Sequence, residues 1–246
     1  MPTSSSVPAP SAAAIAEARD RAIAWSVDHL GTTDPYTVVL LDYVRRRFGL
    51  RALDGTAAQL DAQTGIAEGP EARLIDPRRR PTEADLPSDS YSLVAAALAC
   101  DGIGAPDDFS ERLTEAVDLG GYDLTHALVA RLVERSLGCR EHVSPELTND
   151  LETALRAEIA ASHTWDDLAI ERIAVLDTVA DVDPGDFAIA ALLSTQRADG
   201  SFGELPADDL GVRTHATALA VWALSAATLP ADPQEPLLRA EPPMRG

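Results

Sequence analysis

The stretch Ala191–Glu204, ALLSTQRADGSFGE, decides how the rest of the chain reads. It is a helical run that closes at Gln196, followed by a tight turn, Asp199-Gly200-Ser201-Phe202-Gly203. Asp and Gly supply the turn chemistry that ends one helix before another begins. The next segment, Thr214–Ala227, THATALAVWALSAA, is apolar nearly all round. That pattern belongs to a helix buried among other helices.

The same rhythm extends outward in both directions, and strand-like alternation is scarce. A first helix spans about Ser11 to Leu30, striped by Ile15, Ala18, Ile23 and Trp25, and Gly31 ends it. Asp34-Pro35 opens TVVLLDYVRRRFG, with Asp34 as N-cap and Pro35 at the first helical position. Arg45, Arg46 and Arg47 fall in its last turn, where the helix dipole favours cations. A polar helix runs from about Asp54 to Ala67. A Pro/Arg-rich stretch, Gly69 to Pro87, then reads as a long loop of the functional or mobile kind.

The helices resume after it. Ser88-Asp89 precedes YSLVAAALAC, Pro106 precedes DDFSERLTEAVDLGG, and Tyr122-Asp123 precedes LTHALVARLVERSLG. Ser144-Pro145-Glu146 opens LTNDLETALRAEIAAS, Thr164 opens WDDLAIERIAVLDTV, Asp183-Pro184 opens GDFAIAALLSTQ, and Val212 opens RTHATALAVWALSAA. A polar helix often precedes a more apolar one, at roughly 35–45 residues per pair, the signature of a helical-hairpin array. The expected fold class is all-α, with charged helices outside, apolar helices inside, and the array either open or closed into a ring.

The segment Ala191–Glu204 and the helix after it favour the ring, because they resemble the QW-type repeat of the α/α-toroid superfamily. That superfamily includes terpene cyclases and the β-subunits of protein prenyltransferases. Phe202 stands where the repeat usually has Trp. The resemblance implies a small or partial α/α toroid of about five hairpins around a central cavity. Residues 11–228 would form this single domain, with residues 1–10 disordered and a Pro-rich tail over 229–246. The Asp-x-Asp-Asp acid motif of class II terpene cyclases is absent; the nearest string, Asp181 to Asp186, has another spacing. Of the prenyltransferase zinc set, an Asp, a Cys and a His, only the His has a counterpart, His215, near the start of an inner helix.

Composition bounds the function without naming it. The 246 residues carry 40 acidic side chains, 20 basic ones (all Arg) and 5 His, for a formal charge of −20. Such a surface repels phosphate, which argues against general nucleic-acid binding and against adhesion to anionic membranes. No window approaches the roughly 18 apolar residues of a membrane span, and the start lacks the basic and apolar regions of a secretory signal. Arg-only, Ala-rich usage is the composition of a high-GC bacterial coding sequence. Cys100 and Cys139, which close two apolar runs, read most simply as reduced cysteines in a cytoplasmic protein, with a disulfide or metal ligation as alternatives.

Register points to candidate site residues. Aligning the cores TVVLLDYV, SLVAAALA, ALVARLVE, LAIERIAVL, AIAALLST and ATALAVWAL puts Tyr36, Tyr91, His126, Asp167, Phe187 and His215 immediately before them. In a ring these would share one mouth of the cavity. One turn further in come Leu40, Ala95, Ala130, Glu171, Ala191 and Leu219, of which only Glu171 is charged. A lone Glu among apolar residues is costly unless paired or ligating.

Three readings stay open. His126 and His215 with Asp167 or Glu171 match a two-His, one-carboxylate site for divalent Fe or Zn. The same residues could instead form a metal-free acid/base site with Glu171 as the acid, or a purely structural layer. Tyr36 and Tyr91 would orient substrate or donate protons, and Trp165 and Phe187 would line the cavity. Arg79, within the basic cluster Arg78–Arg80, would clamp an anionic substrate. Asp42 pairs most simply with one of Arg45 to Arg47, and His29 and His142 fall in solvated connections. The expected function is a small-molecule enzyme of specialised metabolism, performing cyclisation, elimination or hydrolysis on a largely apolar substrate, with a homodimer as one assembly. The alternatives are a terpene-cyclase-like acid/base cyclase and a non-catalytic helical-repeat binding protein.

Overall fold

Local signals in the chain set where each helix starts and stops. In the computed structural model, residues 9–65, 67–86, 92–180, 183–203 and 209–240 are described, with backbone only for 178–180. Ser11, Asp34, Ser92, Ser144 and Asp209 each accept hydrogen bonds from first-turn amides. They open α1 (Ala12–His29), α2 (Pro35–Phe48), α4 (Leu93–Leu98), α7 (Pro145–Ala161) and α10 (Leu210–Ala226). The others are α3 (Gly55–Gln63), α5 (Phe109–Leu119), α6 (Gly121–Leu137), α8 (Asp167–Ala180) and α9 (Asp186–Ser194). Gly49 and Gly138 end α2 and α6 in the left-handed conformation, which costs Gly least. Among the described residues there is no strand, and no helix is long and apolar enough to cross a membrane.

The helices sort into two layers by their apolar faces. α5 buries Phe109, Leu113 and Ala116 while Glu111, Glu115 and Asp118 stay exposed; α7 buries Leu151, Leu155 and Ile159. These one-sided helices pack outside. α10 is different: every residue from Ala216 to Ser225 is buried. It packs against α8, α2 and α1, while α8 continues to α6 and α6 to α4. The inner row therefore runs α2, α10, α8, α6, α4. Outside it, α1 covers α10, α3 covers α2, α7 covers α8 and α6, and α5 covers α6 and α4. The main apolar core runs from Ile15 to Leu238, and Val38, Val39, Leu60 and Ile75 form a second, smaller cluster.

The turn at Gln196 fastens the last helices to the first. Gln196 Nε2 donates to the Ala18 carbonyl at 2.7 Å and to the Gly200 carbonyl at 3.0 Å. Phe202 is fully buried, and its N–H donates to Thr217 Oγ1 of α10 at 3.0 Å. Gly200 has φ +95°, and a Cβ there would sit 2.7 Å from the Arg21 carbonyl oxygen, so only Gly fits.

Several expectations are corrected. The stretch from Gly69 is not a free loop. Ala72 and Ile75 are buried, and the buried Arg73 guanidinium holds Asp101 at 2.5 and 2.7 Å and donates to the Leu98 carbonyl. The Pro-rich tail has no helix, yet Leu237 and Leu238 are buried, the Leu237 N–H donates to Ser136 Oγ, and Arg46 donates to the carbonyls of Pro236 and Leu237. Buried Asp42 does pair with Arg45 and Arg46, and it also accepts from Thr56 Oγ1. Residues 1–8 and 241–246 lie outside the described residues.

The cysteines are corrected too: Cys100 and Cys139 form a disulfide that joins the ends of the neighbouring inner helices α4 and α6. The two runs end at the same level, which brings the thiols together. The cytoplasmic expectation loses the support that reduced cysteines gave it, because disulfides persist in oxidising surroundings. The bridge closes a loop of sequence separation 39, for which chain entropy implies stabilisation of about 4 kcal/mol. Urea unfolding of the Cys100→Ser/Cys139→Ser double variant is expected to show a loss of about 2–4 kcal/mol against the oxidised chain. Coincident unfolding curves would show that the bridge adds nothing.

Candidate active site

Each inner helix turns a stripe of side chains toward one cavity of about 440 Å³. α2 supplies Tyr36, Val39 and Leu40; α6 supplies Tyr122, His126 and Val129. α8 supplies Asp167, Glu171 and Val175, and α10 supplies His215, Leu219 and Trp222. The steps of three and four residues are those that keep side chains on one helix face. Val94 of α4, Glu71 and Leu74 of the segment before it, and Leu237 of the tail complete the lining. Polar groups cluster where the helices begin, and apolar groups fill the deeper part.

Seven residues aligned by register thus share one cavity: Tyr36, Leu40, His126, Asp167, Glu171, His215 and Leu219. Others are elsewhere. Tyr91 lies outside the described residues. Phe187 is 55% exposed and pairs edge-on with Trp165, ring centroids 6.1 Å apart, so the two rings meet each other and not the cavity. The cause is α9, which is nine residues long, buries only Ala188, Ile189 and Leu192, and stands outside the inner row. Arg79 does not line the cavity either; it donates to the Ala67 carbonyl, while Arg78 is held by Asp76. On α6 the residue one turn in is Val129 in place of Ala130, which is buried in the core. His29 and His142 are not solvated: His29 Nδ1 donates to the Trp25 carbonyl and stacks on its ring, and His142 bonds the fully buried Glu134.

The central feature is a three-residue network. His215 Nδ1–H donates to the Asp167 carboxylate at 2.8 and 3.0 Å, and Tyr122 Oη donates to Asp167 Oδ2 at 3.0 Å. Asp167 is the first residue of α8, where the dipole favours a carboxylate. With Nδ1 committed, Nε2 is the His215 nitrogen left for chemistry. Glu171 lies one turn deeper, about 6 Å along α8. It is 5% exposed, and His126 Nε2 stands 3.8 Å from its Oε1.

Titration follows from these surroundings. Burial raises the Glu171 pKa, and nearby His126, Thr125 and His215 offset it only in part. Burial would lower the His215 pKa, but the hydrogen bond and charge of Asp167, with Glu171 behind it, outweigh burial and raise it. The Tyr122 phenol is also raised, first by burial and then by the Asp167 charge. Glu171 is therefore a carboxyl that keeps its proton more readily than usual, beside an imidazole oriented by a carboxylate.

The expected divalent-metal set is only partly gathered. His126, His215, Asp167 and Glu171 all line the cavity, but they stand as two pairs, His215–Asp167 and His126–Glu171. Among the described residues, no three His, Cys, Asp or Glu side chains form a metal-ligand group. Tyr122 and Glu71 were missed by register. Tyr122 is four residues before His126 on the same face, which would have identified it; Glu71 arrives from an irregular segment with no periodicity to read.

No family model, no curated protein and no solved structure matches the chain.

The raised pKa values of Glu171 and His215 have one sign for stability. A group that holds its proton more tightly when folded adds stability that is fully present below its unfolded pKa and lost as pH rises through the folded one. Urea midpoints are expected to fall as pH rises through the folded pKa values of Glu171 and His215, and Glu171→Gln should flatten the acidic part of that profile. In an NMR titration, Asp167→Asn should lower the His215 pKa; an unchanged titration would show that Asp167 does not control the ring.

Proposed function

We propose that the chain is an enzyme that performs acid/base chemistry on a small, largely apolar molecule held in the central cavity. The observation that carries this reading is the Tyr122–Asp167–His215 network at the cavity, with the buried Glu171 one turn deeper on the same helix. In this reading Asp167 fixes the His215 tautomer, and Nε2 removes or returns a proton. Glu171, whose pKa burial raises, supplies a proton on the deeper side of the substrate. His126 stabilises the Glu171 anion after transfer. Tyr122 holds Asp167 in place.

The reading also takes the inner row α2, α10, α8, α6, α4 as the wall of a small α/α toroid. Two features support that: the QW-like turn that ties α9 and α10 to α1, and the common level at which the cavity stripes begin. Apolar lining by Val39, Leu40, Val129, Val175 and Leu219 suits a hydrocarbon-rich substrate, and a few convergent polar groups suit orientation and catalysis.

The test is incubation of the purified chain with a bacterial metabolite extract, read by untargeted mass spectrometry. Wild type is expected to consume one or a few apolar compounds. His215→Ala and Glu171→Gln should each slow consumption by about 10²- to 10⁴-fold, the usual weight of a general acid or base. Compounds retained but not converted by wild type would make the chain a binding protein. Consumption equal in wild type and both variants would remove the network from catalysis.

A further inference from the structure

The charge and the rings around the cavity bear on what it takes. Among the described residues, its lining holds three carboxylates, from Glu71, Asp167 and Glu171, and two imidazoles, but no guanidinium. Helix N-termini would ordinarily favour an anion at such a mouth. Here carboxylates already occupy them. Asp34 accepts from the Tyr36 and Thr37 amides of α2, and Asp166 accepts from the Ala169 amide of α8. Asp209 accepts from the Gly211 amide of α10, and Glu158 from the Gly121 amide of α6. Ser92 caps α4, and its hydroxyl donates a hydrogen bond to Glu71 Oε1 at 2.6 Å. The dipoles of the surrounding helices are thus answered by the chain itself.

Off the lining, Arg79 acts through its charge on Tyr36 while its guanidinium serves the Ala67 carbonyl. Against it stand Glu71 and Asp34, which act on the same phenol with the opposite sign. The lining also includes three aromatic side chains, Tyr36, Tyr122 and Trp222. Aromatic rings beside carboxylates are the combination that binds ammonium groups, through the ring quadrupole and through charge. An anion would meet the carboxylates of Glu71, Asp167 and Glu171, with His126 and His215 as the basic groups of the described lining.

We propose that the cavity selects a cationic, otherwise apolar small molecule, an alkyl- or arylammonium, over its neutral and anionic counterparts. This rests on the reading of the cavity as the substrate site. Its apolar depth takes the hydrocarbon, and the ammonium group lies among the carboxylates of Glu71, Asp167 and Glu171. Burial, which raises the Glu171 pKa, is offset when a cation arrives as a counter-charge to the carboxylate.

The experiment is calorimetric titration of the full chain with 1-adamantanamine, 1-adamantanol and 1-adamantanecarboxylate, which share one hydrocarbon cage. The amine is expected to bind about tenfold or more tightly than the alcohol, and the carboxylate to bind least. Glu171→Gln and, separately, Glu71→Gln should each reduce the preference for amine over alcohol, with circular dichroism confirming that both fold. Val129→Phe, which fills the cavity, should weaken the amine and the alcohol alike. Alcohol binding as tight as amine binding, or carboxylate binding tightest, overturns the cationic preference and leaves the cavity reading standing. Absence of binding by all three, or binding unchanged by Val129→Phe, overturns both.

Discussion

The burial of α10 on every side is the constraint on which the rest of the structure depends. A helix with no solvent face must be surrounded, and α10 is enclosed by α8, α2 and α1. That requirement draws the first helix of the chain against the last. The Gln196 turn makes the approach specific, since its side-chain amide bridges the Ala18 and Gly200 carbonyls. Thr217 then receives the Phe202 amide, which would otherwise be buried without a partner. Replacing Gly200 with any larger residue would push the turn off α1, because the added carbon would overlap the Arg21 backbone.

Placement of α10 also sets the chemistry. His215 is near its start and Asp167 is at the start of α8, so packing of the two helices brings imidazole and carboxylate within hydrogen-bond distance. Glu171 is held on the same helix by covalent geometry and faces a different environment one turn deeper. Two carboxylates on one helix face are thereby assigned different behaviour by depth alone: the outer one orients a ring, the inner one resists ionisation. The acidic exterior takes no part in this. Residues such as Glu111, Glu115 and Asp118 sit on the solvent side of one-sided helices and keep an apolar bundle dispersed.

Much of this architecture is legible in the sequence, and the gaps have physical causes. Helix ends at Asp34-Pro35 and Ser144-Pro145 follow from capping and from the fixed φ of proline, which act locally. The cavity residues Tyr36, His126, Asp167, Glu171 and His215 follow from aligning apolar cores, because inner helices that start at one level expose equivalent positions. That same alignment misplaces Phe187, because α9 has the composition of an inner helix but buries only Ala188, Ile189 and Leu192 and stands outside the inner row. Glu71 and Leu237 are illegible by any periodicity, since irregular segments bring them in. The disulfide is a middle case: Cys100 and Cys139 each end an apolar run, and only the adjacency of α4 and α6 turns that similarity into a bond.

The tail that supplies Leu237 to the cavity has a consequence for the order of folding. The contacts that complete the cavity are between residues far apart along the chain: Gln196 with Ala18, Arg46 with Pro236 and Leu237, and Leu237 with Ser136. Such pairings must meet the loop-closure entropy before they return any stability, and a fold rich in them assembles slowly. Neighbouring helices such as α5, α6 and α7 can pack as soon as they exist. The cavity cannot, because α10 and Leu237 are missing until nearly all of the described chain has left the ribosome. The cavity lining is therefore complete only once α10 and Leu237 are in place, and a helical intermediate that lacks them does not have it.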